Sequence, residues 1–382
     1  MSVYNLGRVI TAHAWNSDRT QVAVCKNDEN VVIYSGADNP DASQWKAEHI
    51  LKGHTMVVCG IDWSPLTNKI VTCSHDVNAF VWTFDGRKQK WKPSLSILRI
   101  NRAALSCRWS PDGTKFAVAS GSKVVPVCYY ESSQDWWVSK MIKKHKSTVI
   151  DVAWHPNSQL LATASSDFKC RVFSAYIDNL EERPAKTFFG DMSRFKFGDP
   201  ITEFDSANGW VESVAWSPSG DLLAFAGHDS SVSFVSFAGG QPVCMTLKTR
   251  SLPYTCLKFL TEDVLVAAGH DFVPEIYQSK GNKWDFLGSA DDKSGGKKKK
   301  QEQSAFSSSK AMWSNKIKTG QEQSNAALDI KSKHHNLITD LCLYGDTNRS
   351  KSCDAFSTSG SDGRLIIWKK DTIKKACPGI NI

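Results

Sequence analysis

The chain repeats one pattern along its 382 residues, and this repeat restricts the fold more than any other feature. In each unit an apolar strand ends in an aromatic residue, a second strand is rich in Ala, Ser and Thr, and a third strand follows an Asp-containing turn. The aromatic residues that end the first strands are Trp15, Trp63, Trp109, Trp154, Trp216 and Phe259. By subtraction, these positions lie 48, 46, 45, 62 and 43 residues apart. A period of about 40 to 50 residues is typical of propeller blades.

The third strands close on an aromatic residue seven times. These residues are Tyr34, Trp82, Tyr129, Phe173, Phe234, Tyr277 and Trp368. A four-stranded blade cannot bury both of its faces alone, whereas seven blades in a ring leave none at an end. The sequence therefore predicts an all-β fold, a single seven-bladed β-propeller over residues 1–382.

The two ends of the chain predict how the ring closes. The last unit, from Leu337 to Trp368, shows only three strands, and the segment from Val3 to Ile10 has no partner in the first unit. We therefore expect the N-terminal segment to supply the missing outer strand of the last blade. Residues 369–382 remain as a C-terminal tail.

Composition narrows the class of protein further. The eleven cysteines are odd in number, include no Cys-x-x-Cys pair and mostly lie in apolar strands, which favours buried, reduced thiols. No apolar run approaches the ~20 residues of a membrane span, and residues 1–10 lack the layout of a secretory signal. We expect a soluble, intracellular protein without a membrane span.

Motifs for catalysis are missing from the sequence. It contains no phosphate-binding Gly loop, no nucleophile elbow and no His pair with zinc spacing, so we predict neither an enzyme nor a cofactor or metal. Three His-Asp pairs occupy the same turn of their units: His75-Asp76, His228-Asp229 and His270-Asp271. Equivalent turns are spread around a ring, so each Asp is predicted to bond turn amides. A hydrolase would need acids at the central channel, where Asp62 and Asp151 are the candidates.

Three units carry the parts of a hydrogen-bond network that would hold a blade together. In the second unit they are His54, Thr72 or Ser74, Asp76 and Trp82. In the seventh unit they are His335, Ser359, Asp362 and Trp368. The fourth unit keeps His145 and Asp167 but ends in Phe173, which has no ring N–H, so its network must be shorter. Buried polar chains add rigidity only when every member is satisfied, and the predicted role is stability.

The first break in the period lies between Phe173 and Trp210. It contains Phe188, Phe189 and Phe195. Two interpretations stay open, an elaborated surface loop and a docking surface for a fixed partner. The basic run 143–146 is likewise compatible with an acidic partner or with ordinary solvated lysines.

The second break, residues 288–333, is an insert before the last unit. Between Asp291 and Lys333 ten Lys stand against five acids, a net charge of +5 out of +8 for the chain. Most of the insert is too polar to order itself, so we expect it to be flexible.

In its middle lie Phe306, Met312, Trp313, Lys316, Ile317 and Lys318. Trp313 and Ile317 would share one face of a short amphipathic helix that enters a partner's groove. The alternative is a disordered loop with a few chance apolar residues; a nucleic-acid role is disfavoured because no aromatic interrupts the four consecutive lysines.

The units resemble the WD-repeat family. The motifs that carry the resemblance are Gly53-His54, Ser74-His75-Asp76 and Phe80-Val81-Trp82. The Asp that follows the closing Trp in that family is absent, since Thr83 follows Trp82 and Lys369 follows Trp368. Within the family the chain is most similar to the WD-repeat subunits of the actin-related protein 2/3 complex, over nearly its whole length. The most specific matching parts are the stretch from Arg99 to Trp109 and the position of the lysine-rich insert.

The resemblance implies a non-catalytic scaffold subunit of the complex that starts new actin filaments as branches on existing ones. The implied partners are the other subunits, including the actin-related proteins, the actin filament, and the acidic tails of nucleation-promoting factors. The family's insert helix reaches toward actin, which carries over here to Phe306, Met312, Trp313 and Ile317. The implied location is the cytoplasmic actin cytoskeleton, at cortical patches or the leading edge. The alternative is a general WD-repeat adaptor, such as a substrate receptor of a ubiquitin ligase.

Overall fold

Seven four-stranded antiparallel sheets make up the described part of the chain. The computed structural model describes residues 1–178, 180–182, 187–190, 192–239, 241–281, 283–291, 332–345 and 353–382. Each sheet contains strands that follow one another in sequence, except one that also takes the N-terminal strand. The predicted seven-bladed propeller is confirmed.

The strands are short, mostly of four to eight residues, as expected for blades. In chain order they are β1 (Ser2–Asn5), β2 (Ala12–Trp15), β3 (Gln21–Cys25), β4 (Val31–Ser35), β5 (Lys46–Leu51), β6 (Val58–Trp63), β7 (Ile70–Ser74), β8 (Asn78–Asp85), β9 (Lys90–Ile97), β10 (Ala104–Trp109), β11 (Lys115–Ser120), β12 (Val125–Glu131), β13 (Trp136–Ile142), β14 (Val149–Trp154), β15 (Leu160–Ser165), β16 (Cys170–Ser174), β17 (Pro200–Phe204), β18 (Val211–Trp216), β19 (Leu222–Gly227), β20 (Ser231–Ser236), β21 (Val243–Lys248), β22 (Tyr254–Thr261), β23 (Val264–Gly269), β24 (Glu275–Lys280), β25 (Lys283–Ser289), β26 (Ile338–Leu343), β27 (Phe356–Gly360) and β28 (Arg364–Trp368). Two single-turn 3₁₀ helices, Ala42–Gln44 and Met192–Arg194, lie in connections.

Blade 1 contains β2 to β5, and each of the next five blades takes the following four strands. The first strand of each blade contacts the first strands of its two neighbours, so seven inner strands surround a central channel. The second strands are almost wholly buried between blades, which explains their small and apolar residues. Threonines at the starts of inner strands join adjacent blades: the Thr11 hydroxyl donates to the Val58 carbonyl at 2.8 Å, and the Thr255 hydroxyl to the Ile338 carbonyl at 2.7 Å.

Blade 7 consists of β26, β27, β28 and the N-terminal strand β1. The register of β1 on β28 runs from Ser2 opposite Ile367 to Asn5 opposite Arg364. Tyr4 in this strand is 2% exposed and packs against Trp45 of blade 1, with ring centroids 4.1 Å apart. The start of the chain therefore completes the last blade, in the place that its three-stranded unit predicts, and also contacts the first.

The turn between the second and third strands holds a left-handed residue in every blade. These residues are Asn27, Val77, Lys123, Phe168, Ser230, Phe272 and Gly363. Valine and phenylalanine rarely adopt positive φ, so the surrounding turn must impose it. In blade 2 an Asp does so, because Asp76 Oδ1 accepts the Asn78 amide at 3.0 Å. Asp76 therefore bonds a turn amide, as the sequence predicts, whereas Asp229 and Asp271 accept the amides of Asn208 at 2.9 Å and of Leu252 at 2.7 Å, in the loops that precede their inner strands.

The C-terminal tail packs against blades 6 and 7. Helix α1 (Lys370–Ala376) buries Ile373, and Cys377 and Ile380 follow it into the same apolar cluster. The eleven cysteines all lie in the described part of the chain and form no disulfide, and only Cys244 among them is exposed. Among the described residues, no helix is long and apolar enough to cross a bilayer.

Candidate interaction surfaces

Blade 2 contains a continuous side-chain network from its loop to its closing Trp. His54 Nδ1 lies 2.8 Å from Asp76 Oδ2, and His54 Nε2 lies 2.9 Å from Thr72 Oγ1. The Trp82 ring N–H donates to the same hydroxyl at 2.9 Å. Burial lowers the pKa of His54 although Asp76 opposes this, so the imidazole is neutral at neutral pH and can donate to the carboxylate while it accepts from Thr72. Thr72 in turn accepts from Trp82, and every member has a partner.

The sequence left Thr72 and Ser74 as alternatives for the central hydroxyl. The structure selects Thr72, so Ser74 as the network residue is wrong. The Ser74 hydroxyl donates to the Met56 carbonyl at 2.9 Å and accepts the Asp76 amide at 3.2 Å. Ser74 therefore closes the turn, whereas Thr72 joins the histidine to the tryptophan.

In blade 7 the network uses His334, and the prediction of His335 was wrong. His334 Nε2 lies 2.8 Å from Thr358 Oγ1, which also accepts the Trp368 ring N–H at 2.9 Å. His334 Nδ1 lies 3.2 Å from both oxygens of Asp362. His335 is exposed, and its backbone N–H donates to Asp362 at 2.8 Å.

The distance to the inner strand explains which histidine is chosen. Each network histidine stands four residues before the inner strand begins, at 54 and 58, 145 and 149, and 334 and 338. Counting back from Ile338 therefore selects His334. Ser359, which the sequence also placed in this network, instead lies 3.0 Å from His13 Nδ1 in blade 1.

Blade 4 has a shorter network, as the absence of a closing Trp predicts. His145 Nε2 lies 2.9 Å from Thr163 Oγ1, but His145 Nδ1 has no hydrogen-bond partner among the described residues. Both carboxylate oxygens of Asp167 instead accept hydrogen bonds from Arg171 Nη1, at 3.0 and 2.9 Å. Burial, with a smaller contribution from Arg171, lowers the pKa of His145 to about 4. The ring of Phe173 packs against His145 with centroids 5.2 Å apart.

Acids at the central channel join the inner strands to one another. Asp62 accepts the amides of Trp63 at 3.0 Å and of Trp109 in the next blade at 2.7 Å. Asp151 accepts the hydroxyls of Ser106 at 3.0 Å and Ser213 at 2.9 Å, on the inner strands of its two neighbours. Both acids that the sequence offered for catalysis are therefore bonded to structural donors.

The structure adds Asp340 and Arg108 to this channel, and sequence reasoning missed both. Asp340 accepts the amides of Leu341 at 2.9 Å and of His13 at 3.0 Å, across the junction of blades 7 and 1. Burial acts to raise the pKa of Asp340, but Arg108 and His13 outweigh it and lower the pKa. Arg108 Nη2 lies 3.5 Å from Asp340 Oδ1 and spans the channel. Asp340 and Asp151 are both the third residue of their inner strands, a signal that the sequence offered.

His13, Asp340 and Cys342 lie close enough to be considered as metal ligands. Their atoms already have other partners. The two ring nitrogens of His13 lie 3.0 Å from Ser359 Oγ and 2.7 Å from Ser357 Oγ. Burial raises the pKa of the Cys342 thiol well above its usual range, and its sulfur donates to the His13 carbonyl at 3.0 Å. A hydrogen-bonded structural cluster accounts for these three residues.

One face of the ring is basic over three blades. Loops that precede inner strands and turns that follow second strands share this upper face, because neighbouring strands run antiparallel. Above blades 2 to 4 its exposed cations, here called the basic patch, are Lys52, Arg99, Arg102, Lys123, Lys143, Lys144 and Lys146. The six loops concerned are all described, and their two carboxylates, Asp76 and Asp167, are bonded within the blades. Met56 and Phe168 are 52% and 46% exposed among the cations.

The insert residues predicted to bind a partner, 306, 312, 313 and 316–318, lie outside the described residues. The described chain ends on one side at Asp291 and resumes at Ser332. The Lys333 amide donates to Asp291, so the insert leaves and rejoins the ring at one point. This point lies between blades 6 and 7.

Comparison with known proteins accounts for the repeats. Residues 45–83, 136–174 and 198–236 match the family model described as WD domain, G-beta repeat. Each match runs from the outer strand of one blade through the third strand of the next.

Whole-length relatives are more specific. Actin-related protein 2/3 complex subunit 1B of Arabidopsis thaliana is 39% identical over 381 residues, which cover 98% of both chains. Subunit 1A-B of Xenopus laevis is 43% identical over 379 residues, 98% of this chain and 97% of the relative. Subunit 1 of Schizosaccharomyces pombe is 36% identical over 373 residues, 93% and 95% of the two chains. This chain belongs to the actin-related protein 2/3 complex subunit 1 family. The family likeness extends over the whole ring, including the inner strands whose acids join the blades.

Proposed function

We propose that this protein is the non-catalytic scaffold subunit of an actin-related protein 2/3 complex. In this role it supports the nucleation of branched actin filaments. It acts in the cytoplasmic actin cytoskeleton, at cortical patches or the leading edge. The observation that carries the proposal is the 36 to 43% identity to subunit 1 proteins of a plant, a frog and a yeast over 93 to 98% of the chain. A general WD-repeat adaptor would share the repeats without this whole-length likeness.

The interior of the ring supports a scaffold role. Asp62, Asp151 and Asp340 hold inner strands of different blades together through backbone amides and serine hydroxyls. The networks of His54 and His334 join each blade from its loop to its closing Trp. Fully bonded polar groups of this kind give a rigid body, which is what a platform for neighbouring subunits requires.

The basic patch supports acidic tails of nucleation-promoting factors as partners. Its exposed cations attract an acidic segment and accelerate its association, and Met56 and Phe168 offer apolar contact area among them. The insert, with its net charge of +5 between residues 291 and 333, would attract the acidic surface of actin in the same way. In this proposal Trp313 and Ile317 supply the apolar contact to the filament.

Membership of the complex is tested by native purification. A tagged copy expressed at its normal level should recover the two actin-related proteins and the smaller subunits in equal amounts. Recovery as a lone monomer, or with ubiquitin-ligase components instead, contradicts the proposal.

The basic patch is tested in the assembled complex with Lys143→Glu and Lys144→Glu together. The matched control reverses two exposed lysines on outer strands, Lys46→Glu with Lys90→Glu. We expect the patch variant to bind an acidic activator tail about tenfold more weakly at low salt, with the difference shrinking as salt is added. Equal loss in both variants would assign the effect to net charge alone.

The insert is tested with Trp313→Ala and Ile317→Ala together. Assembly of the complex should be unchanged, while branches should form more slowly in a reconstituted actin assay. Unchanged branching kinetics would remove the insert from the proposal and leave the scaffold role standing.

A further inference from the structure

The first break in the repeat builds a pocket lined by aromatic side chains. The connection between β16 and β17 lies on the lower face, opposite the basic patch, and reaches the outer rim between blades 4 and 5. It encloses a cavity of about 300 Å³, here called the aromatic pocket, lined by Phe188, Phe189, Arg194, Phe195, Phe237 and Pro242 among others. This volume is at the lower end of the range of about 300 to 1,000 Å³ for ligand pockets, which favours one large side chain as occupant.

The wall of the pocket is continuous with the core. Phe237 is 2% exposed, and its ring lies 5.7 Å from that of Trp216. Phe188 stacks on Phe237 with centroids 4.7 Å apart and planes at 17°, and Phe189 meets the same ring edge-on at 5.0 Å. Aromatic contacts of these geometries are favourable, so the pocket is formed before any partner arrives.

The described residues of this connection bond to the ring and to one another. The Gln159 side chain of blade 4 donates to the Glu182 carbonyl at 3.1 Å. Glu181 forms an ion pair with Lys115, a fully buried residue whose Nζ also donates to the Ala175 carbonyl at 2.9 Å. Thr187 and Gly190 exchange two backbone hydrogen bonds, of 3.0 and 2.8 Å. A preformed site binds without the entropy cost of ordering a loop.

Arg194 is the only charged residue among the described residues that line the pocket, and it is exposed. Its Nη2 donates to the Phe189 carbonyl at 3.2 Å, and its guanidinium carbon lies 4.8 Å from the centroid of the Phe195 ring. These contacts fix the position of the guanidinium, and among the described residues they occupy only one of its five N–H groups. A cation held beside an apolar cavity is complementary to a carboxylate next to an apolar group.

We propose that the aromatic pocket is a docking site for a segment of another polypeptide. The segment inserts one aromatic or large aliphatic side chain between Phe188, Phe195 and Pro242, and a neighbouring Asp or Glu bonds Arg194. Interface anchors of this type, a buried apolar side chain beside a charged pair, carry most of the energy of many complexes. The site goes beyond the proposed function because it lies on the face opposite the basic patch and away from the insert.

The test uses the purified full-length chain and blocked peptides as probes. The peptide Ac-Ser-Gly-Trp-Asp-Gly-Ser-NH₂ is compared with the same peptide carrying Asn in place of Asp and with one carrying Ala in place of Trp. Binding is followed by line broadening of the peptide's NMR signals. We expect the Asn peptide to bind about tenfold more weakly, which corresponds to about 1.4 kcal/mol, and the Ala peptide not to bind.

Two variants locate the binding. Arg194→Gln should lower the affinity for the Asp peptide about tenfold and leave that for the Asn peptide unchanged, and Gln241→Trp at the exposed rim should block both. Arg250→Gln, an exposed arginine on the upper face, is the matched control. Full binding by Arg194→Gln, or equal binding of the three peptides, would overturn the proposal. Binding of N-acetyltryptophanamide as tight as that of the Asp peptide would also overturn it, because it would assign the pocket to a small molecule. A dimer in sedimentation that Arg194→Gln abolishes would overturn it too, because it would assign the pocket to a second copy of this chain.

Discussion

Blades 2 and 4 place the same histidine, threonine and aspartate at the same positions and connect them differently. In blade 2 the chain of bonds runs from Asp76 through His54 and Thr72 to Trp82. In blade 4 it stops at His145 and Thr163, and the aspartate is bonded elsewhere.

Two neighbouring residues cause the difference. The first is the closing aromatic, Trp82 against Phe173, because phenylalanine has no N–H to give to the threonine. The second is the residue paired with the threonine on the third strand, Phe80 in blade 2 and Arg171 in blade 4. Phe80 packs its ring against His54, whereas Arg171 binds the aspartate and keeps it from the histidine. A network is therefore determined by the side chains around its members as much as by the members.

The largest effect is expected from removing the shared hydroxyl. Thr72→Val leaves both the His54 nitrogen and the Trp82 N–H without a partner, and should lower the free energy of unfolding by about 2 to 4 kcal/mol. Thr163→Val leaves only His145 Nε2 unpaired, so the loss should be about half as large. Urea unfolding of the two variants measures the difference, and equal losses would show that the bonds to Trp82 contribute nothing.

A smaller effect is expected from Trp82→Phe, which gives blade 2 the closing residue of blade 4. The loss of one hydrogen bond and of part of a buried ring should cost about 1 to 3 kcal/mol. Trp368→Phe in blade 7 is the matched control, since its ring N–H donates to Thr358 at the same 2.9 Å. A cost in one blade alone would mean that packing outweighs the hydrogen bond.

The smallest effect at neutral pH is expected from His145→Gln, because His145 has a single hydrogen bond among the described residues. Its signature is the pH dependence of stability. Burial lowers the pKa of His145 from 6.5 to about 4, so between these values the unfolded chain binds the proton and the folded chain does not. Stability should therefore fall as the pH drops from about 6.5 to about 4, by up to ~1.4 kcal/mol per unit for this group.

Burial also lowers the pKa of His13 to about 4, so His13 makes a second contribution to the loss of stability between pH 6.5 and pH 4. His145→Gln should remove the contribution of His145 and leave that of His13. Thermal unfolding from pH 7 to pH 4 checks this, and an unchanged slope in the variant would contradict the assignment.

The ring itself was predictable because its signal is repeated. Residues such as Trp63, Trp109, Trp154 and Trp216 recur in one pattern, so single departures do not hide the period. The networks were predictable only in outline. His334 and His335 are adjacent, and only the register of β26 distinguishes them; Thr72 and Ser74 point to the same side of β7, and only the position of the Trp82 ring selects the threonine.

The channel and the aromatic pocket depend on contacts between different blades. Arg108 and Asp340 form an ion pair although more than half of the chain separates them in sequence, and no local sequence pattern predicts this pair. Phe188 and Phe189 were visible as an apolar pair in a long connection, but the stack on Phe237 of the next blade was not. Local periodicity specifies the blades, whereas the channel and the proposed docking pocket are formed where side chains of different blades meet.

The pairing of β1 with β28 has a consequence for synthesis on the ribosome. Each of the first six blades can complete its sheet soon after its own segment emerges, but Ser2–Asn5 must wait for Arg364–Trp368, almost the entire translation time later. During that interval β1 has no strand to pair with, and the nascent chain is an open arc whose end blades expose the faces that blade 7 later covers. Closure of the circle is therefore the step at which folding chaperones would act on this protein, and the step after which its assembly into larger particles could begin.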